Sequence, residues 1–153
     1  MASEGTPRID SFMAADYAAS INGKLYVMGG GFDTIFAAAF PYSALFHFAG
    51  LLRVPWNDTN RRLALEGRAE TVDGEDLGWR LDGELEAGRP PGQRGGDTVV
   101  VVAGPVGFTV EEPLGFVLKL RFAGDERAIA LRVAPPPVGM PPPRPPAPEA
   151  PPR

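Results

Sequence analysis

The chain contains no cysteine and only one histidine, His47, among its 153 residues. The missing cysteines exclude disulfides, thiolate metal sites, iron–sulfur clusters and a cysteine nucleophile. A single histidine excludes any site that requires two. Lysine is scarce as well, with 15 basic residues of which only Lys24 and Lys119 are lysines. We predict no cofactor and no metal site from this composition.

Basic residues are also fewer than acidic residues, 15 against 19. The formal net charge is −4 and the sequence pI is near 5.0, so the chain lacks the basic surface that phosphate binding needs. Nucleic-acid binding is therefore not expected. The segment MASEGTPRID has neither the basic start nor the apolar stretch of a secretory signal, which predicts a cytoplasmic location. The excess of arginine over lysine, with abundant alanine, glycine and proline, suggests a GC-rich bacterial genome.

Proline is concentrated at one end of the chain, since 11 of the 18 prolines lie in residues 135–153. This asymmetry predicts a flexible N-terminus over residues 1–7, one folded domain over residues 8–134 and a proline-rich tail over residues 135–153. The tail cannot bury a core, so we expect it to be extended and disordered. It is either a solvated extension or, through its PxxP spacings around Arg144, a ligand for a proline-binding groove.

One uncharged stretch, residues 35–52, approaches the length of a membrane-spanning helix. Pro41 interrupts it, and no basic cluster flanks it. From Tyr42 onward its large apolar residues recur at every second position, which is the period of a strand. A buried strand is therefore predicted here and a membrane span is not.

The remaining segments have the same strand character. Asn22-Gly23 predicts a tight hairpin between strands over residues 9–18 and 24–28. Gly29–Gly31 breaks the second of these strands, which residues 32–35 resume. The run Val99–Val102 is typical of a central strand that is covered on both faces.

Three further segments alternate apolar and polar residues, as half-buried antiparallel strands do. They lie at residues 61–72, 79–87 and 116–122, and the apolar positions Ile129, Leu131 and Val133 add a last strand. The spacing of about ten residues between segments predicts an all-β, antiparallel β-sandwich of about seven to nine strands, Ig-like or jelly-roll-like. A closed barrel is the second possibility.

No motif in the chain points to catalysis. The triplet Gly29–Gly31 is followed by Phe32 and Asp33, where a phosphate-binding loop needs lysine and a hydroxyl, so a bend between strands is predicted. The aspartates at positions 10, 16 and 33 match no calcium-loop spacing. His47 lies between Phe46 and Phe48 and should point to the opposite face of its sheet in a structural role. Trp56 is either a binding anchor or, as we favour, a cap on one end of the core.

Two segments carry a resemblance. AADYAASINGKLYVMGGGFDTI (residues 14–35) and RVPWNDTNRRLALEGRAETVDGEDLG (residues 53–78) resemble the signature blocks, GKLYVxGGG-like and VPWNxTN-like, of a family of short bacterial proteins frequent in actinobacteria. The resemblance covers roughly residues 8–134 and implies a domain of unknown function, with no activity to transfer. The predicted binding-surface residues come from these blocks: Lys24, Tyr26, Gly29, Gly30, Asp33, Trp56, Asn57 and Asn60.

The sequence therefore favours a non-catalytic interaction or structural module over an enzyme. We expect it to bind another protein, or to self-associate, through its loops, a sheet edge or the tail. The alternative is a small-ligand-binding domain with a pocket where the turns Gly29–Asp33 and Trp56–Asn60 meet.

Overall fold

The computed structural model describes residues 5–141, in which nine strands and one 3₁₀ turn form an all-β domain. The strands are β1 (Arg8–Ile21), β2 (Lys24–Gly30), β3 (Thr34–Phe36), β4 (Tyr42–Val54), β5 (Arg62–Thr71), β6 (Asp76–Glu86), β7 (Thr98–Val110), β8 (Leu114–Phe122) and β9 (Asp125–Ala134). The predicted all-β class and number of strands are confirmed. The disorder predicted for the tail concerns mostly residues 142–153, which lie outside the described residues, as do residues 1–4.

The strands form two sheets that face each other across one main core. The four-stranded sheet has the order β2-β1-β4-β7 and the five-stranded sheet the order β3-β9-β8-β5-β6. Two separate sheets make a sandwich-like arrangement, so a single closed barrel is not formed. Every neighbouring pair is antiparallel except β3 and β9, which are parallel.

Period-two patterning explains the core. Phe46 and Phe48 on β4 are buried, as are Phe116 and Phe122 on β8. Phe46 and Phe116 belong to different sheets, and their ring centroids are 6.2 Å apart. Aromatic contacts of this kind therefore join the two layers.

The β1–β2 hairpin leaves its pairing with β4 about halfway along β1. Its turn places Asn22 and Gly23 at φ values of 51° and 72°, as a type I′ turn requires. Strand β1 pairs with β4 only as far as Ala15 and thereafter with β2 alone. A second, smaller cluster anchors the hairpin, in which Ala15, Ala18 and Ala49 are buried and Leu25 and Ala103 pack against them.

Two predictions about strands are wrong. Residues 32–35 do not resume β2, because the chain turns at Gly29 and Gly31, both at positive φ, and β3 pairs with β9 in the other sheet. The run Val99–Val102 is not in a central strand, since β7 lies at the edge of its sheet. Four valines indicate a strand, but long-range pairing decides its place in the sheet.

The uncharged stretch of residues 35–52 contributes to β3 and β4. Within residues 5–141 no helix is long and apolar enough to cross a membrane.

Candidate functional site

The predicted site residues fall into two groups that lie far apart. Lys24, Tyr26, Gly29, Gly30 and Asp33 belong to β2 and the connection to β3, whereas Trp56, Asn57 and Asn60 form the turn after β4. Phe32, in the first group, packs near Phe46 with ring centroids 6.2 Å apart. From Phe46 to Val54 strand β4 covers eight residue steps, roughly 26 Å of extended chain. The structure therefore corrects the predicted pocket: the two turns do not meet, because β4 holds them at opposite ends.

The turn at Trp56 is held by its own contacts. The buried Thr59 hydroxyl donates to the Trp56 carbonyl at 2.6 Å and accepts from Nε of Arg89 at 2.7 Å. The Arg89 guanidinium also stacks on the indole ring at 4.3 Å, a favourable cation–π geometry. Asn60 adopts a φ of 57°, and its N–H donates to Ala87 at 2.8 Å. These contacts give Trp56 a structural role at one end of the domain.

The glycines of the first group allow close packing. A Cβ at Gly29 would lie 2.3 Å from Oδ2 of Asp16, and one at Gly30 would lie 2.8 Å from Val27. Asp33 follows as an exposed residue whose carboxylate accepts from the Thr34 hydroxyl at 2.8 Å. The predicted bend between strands is confirmed.

A surface that the predicted residues cover only in part lies on the outer end of the hairpin. We call it the hairpin face and define it by Tyr17, Ile21, Tyr26 and Met28. The register pairs Tyr17 with Met28, Ala19 with Tyr26 and Ile21 with Lys24, which places the four side chains on one face. They are 48–67% exposed. Of the predicted site residues, Tyr26 belongs to this face and Lys24 borders it.

His47 adjoins the hairpin face at its inner end. As alternation predicts, it points away from Phe46 and Phe48, and Nδ1 lies 3.2 Å from the main-chain carbonyl of Asp16. Because a carbonyl only accepts, the imidazole donates this hydrogen bond. The ring also lies 4.9 Å from that of Tyr17, so His47 supports the base of the hairpin.

A groove opens where β1 leaves β4. We call it the aromatic groove; its volume is about 470 Å³. It is lined by Asp16, Phe32, Thr34, Ile35, Phe36, Ala38, Tyr42, Leu45, Phe46, Pro136, Met140 and Pro141. Most of these side chains are apolar or aromatic, and Asp16 is the one charged residue among them.

The outer face of the five-stranded sheet has the opposite character. Glu66, Arg68 and Glu70 on β5 alternate with buried residues and lie beside Lys119 and Arg121 on β8. Lys119 donates to Glu70 at 2.8 Å, and this hydrogen bond raises the pKa of the Lys119 ammonium group. Charged side chains therefore cover this part of the five-stranded sheet, whereas the hairpin of the four-stranded sheet exposes apolar side chains.

Asp10 gives the fold a pH-dependent contact. Arg53 donates to its carboxylate at 2.5 Å and Arg8 at 3.0 Å. The hydrogen bond from Arg53 is the main cause that lowers the pKa of Asp10 below its usual 3.8, against an opposing effect of burial.

We expect Asp10→Asn to lower the free energy of unfolding at neutral pH and to matter less in acid. A depressed folded-state pKa stabilises the protein above the unfolded pKa, and this contribution disappears as pH falls through the folded value. The difference between wild type and Asp10→Asn in urea unfolding should therefore be larger at pH 7 than at pH 3. Asp82→Asn, at a residue without a salt bridge in residues 5–141, is the control. A difference that is the same at both pH values would contradict this assignment.

Comparison with known proteins adds a family but no activity. No curated protein and no solved structure matches the chain significantly. A family model described as a family of unknown function matches residues 10–134, close to the range of the resemblance seen in the sequence. The match spans β1 to β9 and both signature blocks. The chain therefore belongs to DUF6941, a family of unknown function.

Proposed function

We propose that the protein is a non-catalytic module that binds another protein through the hairpin face. One observation carries the proposal: Tyr17, Ile21, Tyr26 and Met28 stand together on one face, each about half exposed or more. Single exposed apolar residues are ordinary on a protein surface, but a contiguous group is typical of an interaction site. Tyrosine and methionine are also enriched in protein–protein interfaces.

The backbone of the hairpin supports the same function. Strand β2 lies at the edge of the four-stranded sheet, and an edge strand offers N–H and C=O groups to an incoming strand. Tyr26 and Met28 of the hairpin face lie on β2, the same strand that forms the edge. A partner strand that adds to β2 would therefore place its own side chains beside Tyr26 and Met28.

The contrast between the two sheets supports the choice of the hairpin face. Part of the charge on the five-stranded sheet is held in ion pairs, such as that of Lys119 with Glu70. Burying such pairs against a partner costs desolvation free energy, whereas burying the hairpin face releases water from apolar surface. The hairpin face is the better binding surface on both counts.

The small-ligand alternative loses its original basis. It depended on one pocket between the Gly29–Asp33 and Trp56–Asn60 turns, which β4 keeps apart. The contacts of Thr59 and Arg89 around Trp56 leave that turn with an internal structural role. We therefore do not place a ligand between these turns.

Photo-cross-linking from single cysteines tests the proposed function. The chain has no cysteine, so purified Met28→Cys and Val72→Cys can each be labelled with one benzophenone probe and added to a lysate of cells that naturally express the protein. Val72 is the matched control, because it is 73% exposed and directly follows β5, a strand of the other sheet. We expect a specific protein adduct from position 28 and none from position 72.

A second variant then measures the contribution of the face. Met28→Glu should weaken binding of the captured partner by about tenfold or more, as loss of a central apolar contact does. Val72→Glu should leave binding unchanged, and both variants should unfold within about 0.5 kcal/mol of wild type, as exposed substitutions do. Equal adducts from both positions, or adducts from neither, would overturn the proposal.

A further inference from the structure

The aromatic groove has the chemistry that recognises proline-rich chain. Phe32, Phe36, Tyr42 and Phe46 are among its lining residues. Grooves lined by aromatic side chains bind the rings of extended, proline-rich segments. Such a segment is already extended in solution, so it loses little conformational entropy on binding. An aromatic groove of this kind favours a polyproline occupant over a helix or a flexible loop.

The chain's own prolines already form part of the groove. Strand β9 ends at Ala134, and Pro136, Met140 and Pro141 then line the groove. Between them the chain reverses in a turn, in which the Met140 N–H donates to the Pro137 carbonyl at 3.1 Å. Gly139, at a φ of 92°, occupies the third position, where such turns require a positive φ. The turn returns the chain to the groove, and Pro141, the last described residue, lines it.

The sequence that follows matches the groove in shape and charge. Residues 142–146 read PPRPP, a run that favours the polyproline helix with its three residues per turn. Arg144 is three residues after Pro141 in the sequence, a spacing of one turn of such a helix. The groove presents Asp16, which forms no salt bridge with any residue in 5–141. The one charge on the groove and the first charge after Pro141 are thus complementary.

We propose that the aromatic groove is a binding site for the chain's own proline-rich segment, residues 142–153, with Arg144 paired to Asp16. The sequence suggested the tail as a ligand for a groove on another protein. The geometry places a suitable groove on this chain, at the point where the tail departs. The proposal is independent of the hairpin face and of its partner.

Paramagnetic relaxation in the full-length protein tests the site. A nitroxide on Ala147→Cys should broaden the backbone amide signals of Thr34 and Phe36, which line the groove. It should leave those of Asp82 and Glu84, on the outer face of the five-stranded sheet, unchanged. The same label on Asn57→Cys, at the exposed turn after β4, is the matched control and should not broaden the groove signals.

Charge variants test the pairing within the site. Asp16→Asn and Arg144→Gln should each reduce the ratio of bound to free segment roughly two- to fivefold, the effect expected of one exposed ion pair. Combining them should add little, because either change already removes the pair. Asp82→Asn should have no effect. Unchanged broadening in both Asp16→Asn and Arg144→Gln would refute the pairing.

A mixed sample identifies the source of the segment. Isotope-labelled protein without nitroxide is combined with unlabelled protein that carries it on residue 147. Broadening in the singly labelled chain that Asp16→Asn reduces, and that is absent from the mixture and unchanged by dilution, supports binding within one chain. Broadening in the mixture would instead assign the groove to the segment of a second copy. That result would overturn the proposal, as would equal signal intensities with and without the nitroxide.

Discussion

Replacing Phe116 with alanine is expected to lower the free energy of unfolding by about 3–5 kcal/mol, the range for deleting a fully buried phenylalanine. Phe116 is 0% exposed. Its ring centroid lies 5.0 Å from that of Phe108 and 6.2 Å from that of Phe46, both in the opposite sheet. The substitution therefore removes apolar contacts and leaves a cavity between the layers, which rigid sheets close only in part.

Urea unfolding at pH 7 measures this loss. A domain of this size has a total stability of about 5–15 kcal/mol, so the Phe116→Ala variant should unfold at much lower urea concentration or be largely unfolded without it. Val72→Ala is the control and should stay within about 0.5 kcal/mol of wild type. A loss below about 1 kcal/mol for Phe116→Ala would mean that this ring does not join the sheets as described.

Local patterns predicted most of the strands because period-two alternation is set by neighbours in sequence. On β4, β5 and β8 the apolar positions named from alternation are buried, including Phe46, Leu65 and Leu118. The Asn22-Gly23 turn was predictable for the same reason, since its positive φ values suit those two residues. Which residues face inward is a local property, and the sequence expresses it directly.

Strand order was not predictable, because it depends on contacts between distant residues. The position of β7 at a sheet edge and the pairing of β3 with β9 have no counterpart in local pattern. Thr34 pairs with Arg132, across most of the chain. A run of valines at 99–102 is compatible with an edge strand as well as with a central strand.

The candidate site was predicted only in part, for a similar reason. The signature blocks pointed to residues such as Gly29 and Asn60, whose contacts are structural: close approach to Asp16 at one and a positive φ at the other. The aromatic groove combines position 16, residues 32–46 and residues 136–141, which no sequence window contains. The hairpin face could be predicted in part from the sequence. Strands β1 and β2 carry apolar residues on both faces, whereas a strand with one buried face needs them on that face alone.

Gly67 and Gly83 occupy equivalent positions in the sequence pattern, but their atomic surroundings differ. Both occupy inward positions of alternating strands, and the register places them on the adjacent strands β5 and β6. A Cβ at Gly67 would lie 2.6 Å from Cη2 of Trp79, whereas one at Gly83 would meet nothing within 4 Å. Trp79 cannot move away freely, because its Nε1 donates to the Pro105 carbonyl of β7 at 3.0 Å. The glycine at 67 makes room for the indole that links the two sheets.

We therefore expect Gly67→Ala to destabilise the protein by about 1–3 kcal/mol, the usual cost of overpacking a core. Gly83→Ala should be neutral or slightly stabilising. Both substitutions restrict the unfolded chain equally, so their difference in urea unfolding isolates the clash with Trp79.

Combining Gly67→Ala with Trp79→Leu should remove most of that difference, because residues in contact are energetically coupled. Equal stabilities for Gly67→Ala and Gly83→Ala, or an undiminished loss after Trp79→Leu, would show that the indole does not pack on Gly67. The expected result would show that the Trp79 indole packs directly on Gly67 on its way to the opposite sheet. Only glycine leaves enough space for it at position 67.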